Sequence, residues 1–327
     1  MKFLLLLILS LPCFAIPERD YATVWMRDVL EPLDSVPARE FTNAQGIKIR
    51  YRVYRRGKGL PNIVVSPGRT EPMKKYFELV HDIPNANFYL IDHQGQGESE
   101  RLLADPEKGY VRHFSDYVND FAQFMEAHVF PATQGEKLYL IAHSMGAAIA
   151  TRYLDRNPRA FDKIAFSSPM FDIYTEPYSR PLAVVLSKIL LAAGKARDYA
   201  PDRGPYVPEE DIPGVNNVTH SEARIEANKW LFLEQELTVA GPTVRWVSEA
   251  LSGTSKIYKV GRKVMAPVLL FQAGLDEIVK PTPQIKFCAL APSCKLVPVP
   301  GAFHEVLQEV DPIRDGVLAK IRAHLGL

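Results

Sequence analysis

The run Leu138-Tyr139-Leu140-Ile141-Ala142-His143-Ser144-Met145-Gly146-Ala147-Ala148-Ile149-Ala150 constrains this chain more than any other feature. A short β-branched and aromatic stretch stops at a serine flanked by small residues, and a small-residue helix begins at once. That is the form of a strained strand-to-helix turn that leaves a serine hydroxyl exposed at the end of a sheet. The run therefore proposes an α/β architecture and a nucleophile together. An ordinary strand–turn–helix with an incidental serine would read the same, so the rest of the chain has to supply partners.

The surrounding pattern supplies a sheet. Residues 47–54 alternate like a strand, and 62–66, 87–92, 137–142, 163–167, 267–272 and 295–299 read as short buried strands, most ending in Gly, Pro, Asp or Ser. Helical patterns lie between several of them. In 113–129, for example, Phe114, Tyr117, Val118, Phe121, Phe124 and Met125 recur at helical spacing. Strands alternating with helices imply a mainly parallel central sheet with right-handed crossovers. The rhythm breaks over 172–264, where no buried strand is expected. There, 181–193 is apolar nearly all round, a Pro/Gly-rich loop follows, and 221–237 and 242–252 read as helices. These residues form an expected helical cap inserted in the sheet domain, so the core divides into 16–171 and 265–327. A helix apolar on all sides has to be buried or to face lipid. Above a hydrolytic site it would do both, covering an acyl pocket and touching a lipid surface; a purely structural lid is the alternative.

A serine is a weak nucleophile until a base takes its proton. In an α/β sheet with such a turn, the acid and then the base follow the serine in the chain. The expected strand through Val268 ends in a loop carrying Asp276, and the one through Val297 and Val299 ends in a loop carrying His304. Both reach the carboxyl edge of the sheet, where open α/β sheets hold their ligands. Ser144, His304 and Asp276 are thus the expected nucleophile, base and acid, with Glu277 and Asp172 as weaker alternatives to Asp276. His143 is expected to pack. His93 sits in a post-strand loop whose glycine pair lacks the third glycine and helix of a dinucleotide site. His81, His113, His128, His220 and His324 have no motif context. The developing oxyanion needs two donors. The backbone N–H of Met145 is one, and that of Arg69, in the loop Ser66-Pro67-Gly68-Arg69-Thr70, is the other. The Arg69 side chain is separately free to reach a phosphate or glycerol headgroup.

Composition narrows the class. With 39 basic and 38 acidic residues, and basic runs no longer than pairs such as Arg55-Arg56, nothing points to nucleic acid. No His-Glu-x-x-His or Cys-x-x-Cys motif proposes a metal site, and the expected chemistry needs no cofactor. Residues 1–15, with a basic start, an apolar core and Ala15 at the end, read as a secretory signal cleaved after Ala15, which implies a periplasmic or secreted protein. An uncleaved anchor is the alternative. Cys288 and Cys294, six residues apart, would then sit in an oxidising compartment, where either a local disulfide or two buried thiols is expected.

With these residues in place, the chain resembles the α/β-hydrolase superfamily, in its monoacylglycerol lipase and bacterial lysophospholipase branch. The segments Ser66-Pro67-Gly68-Arg69, Asp92-His93-Gln94-Gly95-Gln96-Gly97, Arg101-Leu102-Leu103-Ala104-Asp105-Pro106 and Ala142-His143-Ser144-Met145-Gly146 are most similar to lysophospholipases of the L-two type. Asn217-Val218-Thr219-His220-Ser221 and Gly241-Pro242-Thr243 are similar as well. The likeness runs from about Phe41 onward. It implies a serine carboxylester hydrolase that releases fatty acid from lysophospholipid or monoacylglycerol; the apolar helix over 181–193 separately suggests transient membrane contact through the expected cap. A small-ester esterase or proline-type serine aminopeptidase on the same scaffold is the alternative, and a non-catalytic lipid-binding protein a more distant one. Three departures stand out: Ala142 replaces the turn's first glycine, Pro67-Gly68 replaces the His-Gly of monoacylglycerol lipases, and the apparent signal sequence sets the chain apart from relatives that act at the cytoplasmic membrane.

Overall fold

The computed structural model describes residues 15–213, 215 and 217–327. The expected signal sequence therefore lies, but for Ala15, outside the described residues. Eight strands form one sheet: β1 (Arg39–Thr42), β2 (Lys48–Tyr54), β3 (Asn62–Ser66), β4 (Asn87–Ile91), β5 (Leu138–His143), β6 (Lys163–Ser167), β7 (Val268–Ala273) and β8 (Cys294–Val299). Their order is β1-β2-β4-β3-β5-β6-β7-β8. β1, β2 and β4 pair antiparallel, and every other pair is parallel. The parallel strands β3, β4 and β5 are buried at every position, as strands covered on both faces should be.

Apolar clusters fill both faces. One packs the helices Phe114–Phe124, Ser144–Leu154, Val244–Gly253 and Pro281–Leu290 against the sheet. The other packs the N-terminal helical run 18–34, Phe77–Asp82 and Asp311–Leu325. Because β3, β5, β6, β7 and β8 run parallel, their carboxyl ends share one edge. The loops that carry Arg69, Ser144, Asp276 and His304 all leave from that edge.

Among the described residues of 172–264, no strand joins the sheet. The segment carries the helices Arg180–Ala192, Glu222–Leu233 and Val244–Gly253 and ends in the 3-10 turn Ile257–Lys263. Ser221 and Thr243 cap the second and third helices by accepting the N–H of Arg224 and Trp246. Cys288, in the helix Pro281–Leu290, is disulfide-bonded to Cys294, the first residue of β8. No described helix is long and apolar enough to cross a membrane.

Candidate active site

Ser144 begins the helix after β5 with φ of +46°. That left-handed conformation is costly for a serine, by roughly 1–3 kcal/mol. It persists because the turn is enclosed. A Cβ on Gly146 would collide with the carbonyl oxygens of Ser66 and Pro67, so only glycine lets the helix cross β3 this closely. Ala142, where related turns have glycine, is fully buried, and its methyl is accommodated between β3 and β6.

The structure brings the three expected partners together. Ser144 Oγ lies 2.9 Å from His304 Nε2, and His304 Nδ1 lies 2.7 Å from Asp276 Oδ2. The other Asp276 oxygen accepts the N–H groups of Ile278 and Val279 at 2.9 Å, which aims the carboxylate. Burial disfavours the carboxylate, but His304 and these N–H groups outweigh it and hold the Asp276 pKa below its ordinary value. Burial also opposes the imidazolium of His304. Asp276, with smaller contributions from Glu305 and Glu71, overcomes that and raises the His304 pKa. With a proton on Nδ1, His304 is arranged to take one from Ser144 at Nε2 and to hold the resulting charge against Asp276. Glu277 instead accepts from Asn217, and Asp172 pairs with Arg180, so neither reaches His304.

The loop after β3 faces the same point. No described residue accepts the backbone N–H of Arg69 or Met145, and a first-turn N–H such as Met145's has no acceptor within its own helix. The sequence reading missed what holds this loop. Glu71 accepts the Gly68 N–H at 2.5 Å, the Tyr76 hydroxyl at 2.6 Å and Lys75 Nζ at 2.9 Å. Burial alone would raise the Glu71 pKa, but Lys75, His143 and Tyr76 pull it down to about 2. Lys75 also binds Glu305 at 2.6 Å, and Glu305 follows His304 directly. The signals were a glutamate and a lysine one helical turn apart beside the loop and a second glutamate beside His304, but only the fold joins them. Glu71, His143 and Glu305 place ligand-capable atoms within 4.8 Å of one another. The Lys75 ammonium bridges the two carboxylates there, so the trio already has its cation.

The remaining histidines have structural partners. His143 packs its ring on His304, 4.7 Å between centroids, and Nδ1 lies 3.0 Å from both oxygens of Ser167. Burial lowers its pKa to about 4. His93 is fully buried and bonds Ser66 Oγ at 3.0 Å, tying the end of β3 to the loop after β4.

Ser144 and His304 open into a cavity of about 800 Å³. Its walls include Leu186 and Leu190 from the helix Arg180–Ala192, Phe232 from the helix Glu222–Leu233, and Val239.

A family model described as Hydrolase_4, serine aminopeptidase S33, matches residues 60–311. Lysophospholipase L2 of Escherichia coli K12 is 35% identical over 294 residues, covering 86% of this chain and 85% of that protein. The chain belongs to the α/β-hydrolases, in the monoglyceride lipase and lysophospholipase family. It is a serine hydrolase. Probable lysophospholipase L2 of Haemophilus influenzae is 30% identical, covering 92% of this chain and 96% of that one. A soluble variant of monoglyceride lipase from Saccharomyces cerevisiae, solved with a substrate analog, superposes with a TM-score of 0.70 at 18% identity, covering 89% of this chain and 94% of that one.

Proposed function

We propose that this protein hydrolyses the single acyl ester of a lysophospholipid or a monoacylglycerol through an acyl-enzyme on Ser144. The observation that carries the proposal is the relay of Ser144, His304 and Asp276, at 2.9 and 2.7 Å, opening into a cavity of about 800 Å³ lined in part by Leu186, Leu190, Phe232 and Val239. His304 takes the serine proton as Oγ attacks the ester carbonyl carbon. The N–H groups of Arg69 and Met145 hold the oxyanion. Protonated His304 then gives its proton to the leaving alkoxide, and water, activated by the same base, releases the fatty acid and restores Ser144. The similar lysophospholipases and monoglyceride lipases support this substrate class.

The residues 172–264 act as a cap. On the helix Arg180–Ala192, Ala183, Leu186 and Leu190 face the cavity, while Leu182, Val185 and Ile189 are 51%, 52% and 59% exposed. An exposed apolar stripe of that spacing suits the surface of a bilayer or micelle. An exported location is supported by the N-terminal pattern and by the Cys288–Cys294 bond, since structural disulfides belong to oxidising compartments. Ile16, the first residue after the expected cleavage, is buried against the core.

A fluorophosphonate probe is expected to label the wild-type protein and not Ser144→Ala, and a panel of lysophospholipids, monoacylglycerols, short esters and aminoacyl-amides is expected to show fastest turnover on the long-chain esters. Wild type that does not label ends the enzyme reading. Faster turnover of aminoacyl-amides than of every ester overturns the substrate class.

A further inference from the structure

Among the described residues, the cavity holds a half-buried cation, with a fully buried Nε, that no acid pairs with. The Arg69 guanidinium reaches from the loop after β3 towards the cap. One Nη donates to the carbonyl of Ala240, the group lies 5.0 Å over the Trp246 ring, and Nε has no acceptor. Gly109 lets it pass, because a Cβ there would come within 2.7 Å of Nη2. Burial pulls its pKa down to about 10, and the charged neighbour that adds to this is another cation, Arg203, which is exposed and lines the same cavity. Among the described residues no acid of the wall forms an ion pair with Arg69: Glu176, Asp202 and Glu210 are exposed, and the others are engaged elsewhere. Glu71 and Glu305 share Lys75, Glu277 is bound by Asn217, and Asp211 accepts from Tyr206.

A desolvated guanidinium without a carboxylate is stabilised by an anion, and its planar fork of donors matches phosphate oxygens. Its place in the chain adds a length constraint. The backbone nitrogen of Arg69 is the proposed oxyanion donor. Within one arginine, that nitrogen and the guanidinium carbon are separated by as many bonds as the ester carbonyl carbon and the phosphorus of a 1-acyl lysophospholipid. An extended arginine side chain and the glycerol backbone of such a substrate therefore have comparable reach. We propose that the Arg69 side chain is the phosphodiester site that makes this enzyme prefer lysophospholipid over monoacylglycerol, with Arg203 as a weaker second contact at the rim. The proposal rests on the esterase reading above and gives it a headgroup.

The test compares kcat/KM for 1-oleoyl lysophosphatidylethanolamine and 1-oleoylglycerol, in the same detergent micelles, in wild type, Arg69→Met, Arg69→Lys and Arg203→Gln. The expected result is a fall in the ratio of the two values of about tenfold to a hundredfold in Arg69→Met, the size of a lost charge-assisted hydrogen bond. Arg69→Lys recovers part of the ratio, and Arg203→Gln lowers it a few-fold. Inorganic phosphate is expected to compete with 1-oleoylglycerol in wild type and to lose that effect in Arg69→Met. Wild-type protein alone supplies this readout if the variants fold poorly, and failure of phosphate to compete there counts against the site. Equal losses on both lipids make Arg69 a structural strut on Ala240 and Trp246 and overturn the proposal, leaving the esterase reading intact. Phosphate competition with an unchanged ratio assigns the cation to a free anion and also overturns it. Wild type that is active on short esters and inactive on both lipids overturns the lipid reading itself.

Discussion

The turn at Ser144 and the helix Arg180–Ala192 lie on opposite sides of the same cavity and are built by opposite means. Around Ser144 there is no spare room: φ is positive, Gly146 has carbonyl oxygens where a side chain would be, and Ala142 is fully buried. Over Arg180–Ala192 the chain leaves Leu182, Val185 and Ile189 more than half exposed. The rest of the segment 172–264, the proposed cap, resembles the turn more than its own first helix. Arg224, fully buried in Glu222–Leu233, binds Glu78 at 2.9 Å, Asp311 at 3.3 Å and the Glu309 carbonyl at 3.0 Å. The carbonyl of Val218 accepts the N–H of Glu305, and the ring of His220 stacks on Phe303, so the cap also braces the loop that carries His304. Groups that must meet a transition state to a fraction of an ångström are held by packing. The part proposed to meet a lipid surface is left with exposed apolar side chains.

The contrast breaks most severely at the relay. Asp276→Asn is expected to lower kcat about ten-thousandfold, in line with the loss of the acid in serine protease triads. It should also move the acid limb of the pH profile. His304 works as a neutral base and its pKa is raised above the ordinary value, so wild-type kcat/KM should fall as pH drops through a midpoint above about 6.5. Removing the Asp276 charge shifts that midpoint to lower pH; an unshifted limb would mean that another group titrates.

The clamp comes next. Arg224→Met leaves Glu78 buried with part of its charge uncompensated and should cost about 3–5 kcal/mol in urea unfolding. A cost below about 1 kcal/mol would show that the second cap helix is as loosely held as the first. Gly68→Ala tests the oxyanion loop, because its Cβ would stand 2.8 Å from both Glu71 Oε2 and His143 Cδ2. Displacing one donor should lower kcat about a hundred- to a thousandfold, with the folded state kept and KM changed little. An active Gly68→Ala would mean that the loop is not as tightly held as the serine.

The smallest effect belongs to the exposed helix. Leu182→Ser, Val185→Ser and Ile189→Ser combined should lower turnover of vesicle-borne lysophospholipid severalfold to about tenfold and leave a soluble short ester unaffected, because these side chains face away from the cavity. Equal rates on vesicles for variant and wild type would remove the membrane-facing role.

Much of this was legible in the linear pattern because it is local. Strand–turn–helix around Ser144 and the loops carrying Asp276 and His304 each depend on a few consecutive residues, and the seven expected strands lie within a residue of β2 to β8. β1 escaped because four residues with one buried position carry no usable period. The helices Pro281–Leu290 and Asp311–Leu325 went unread because neither shows a clean apolar stripe. The helix expected over 181–193 forms as Arg180–Ala192. A helix apolar all round has to be covered or to face an apolar phase, and here one face lines the cavity while the other is open.

By itself, the order of residues determined the sheet, the serine turn and the partners available to it, since periodicity and turn chemistry act over short distances. Tertiary structure alone decided which acid reaches His304, that Glu71 and Lys75 hold the Gly68–Arg69 loop, that Arg224 locks half the cap, and that Arg69 is left without a counter-charge. Apart from the local bonds of Gly68, Glu71 and Lys75, those outcomes depend on contacts between residues tens to hundreds of positions apart, and a charge acquires its meaning only from what the fold places beside it.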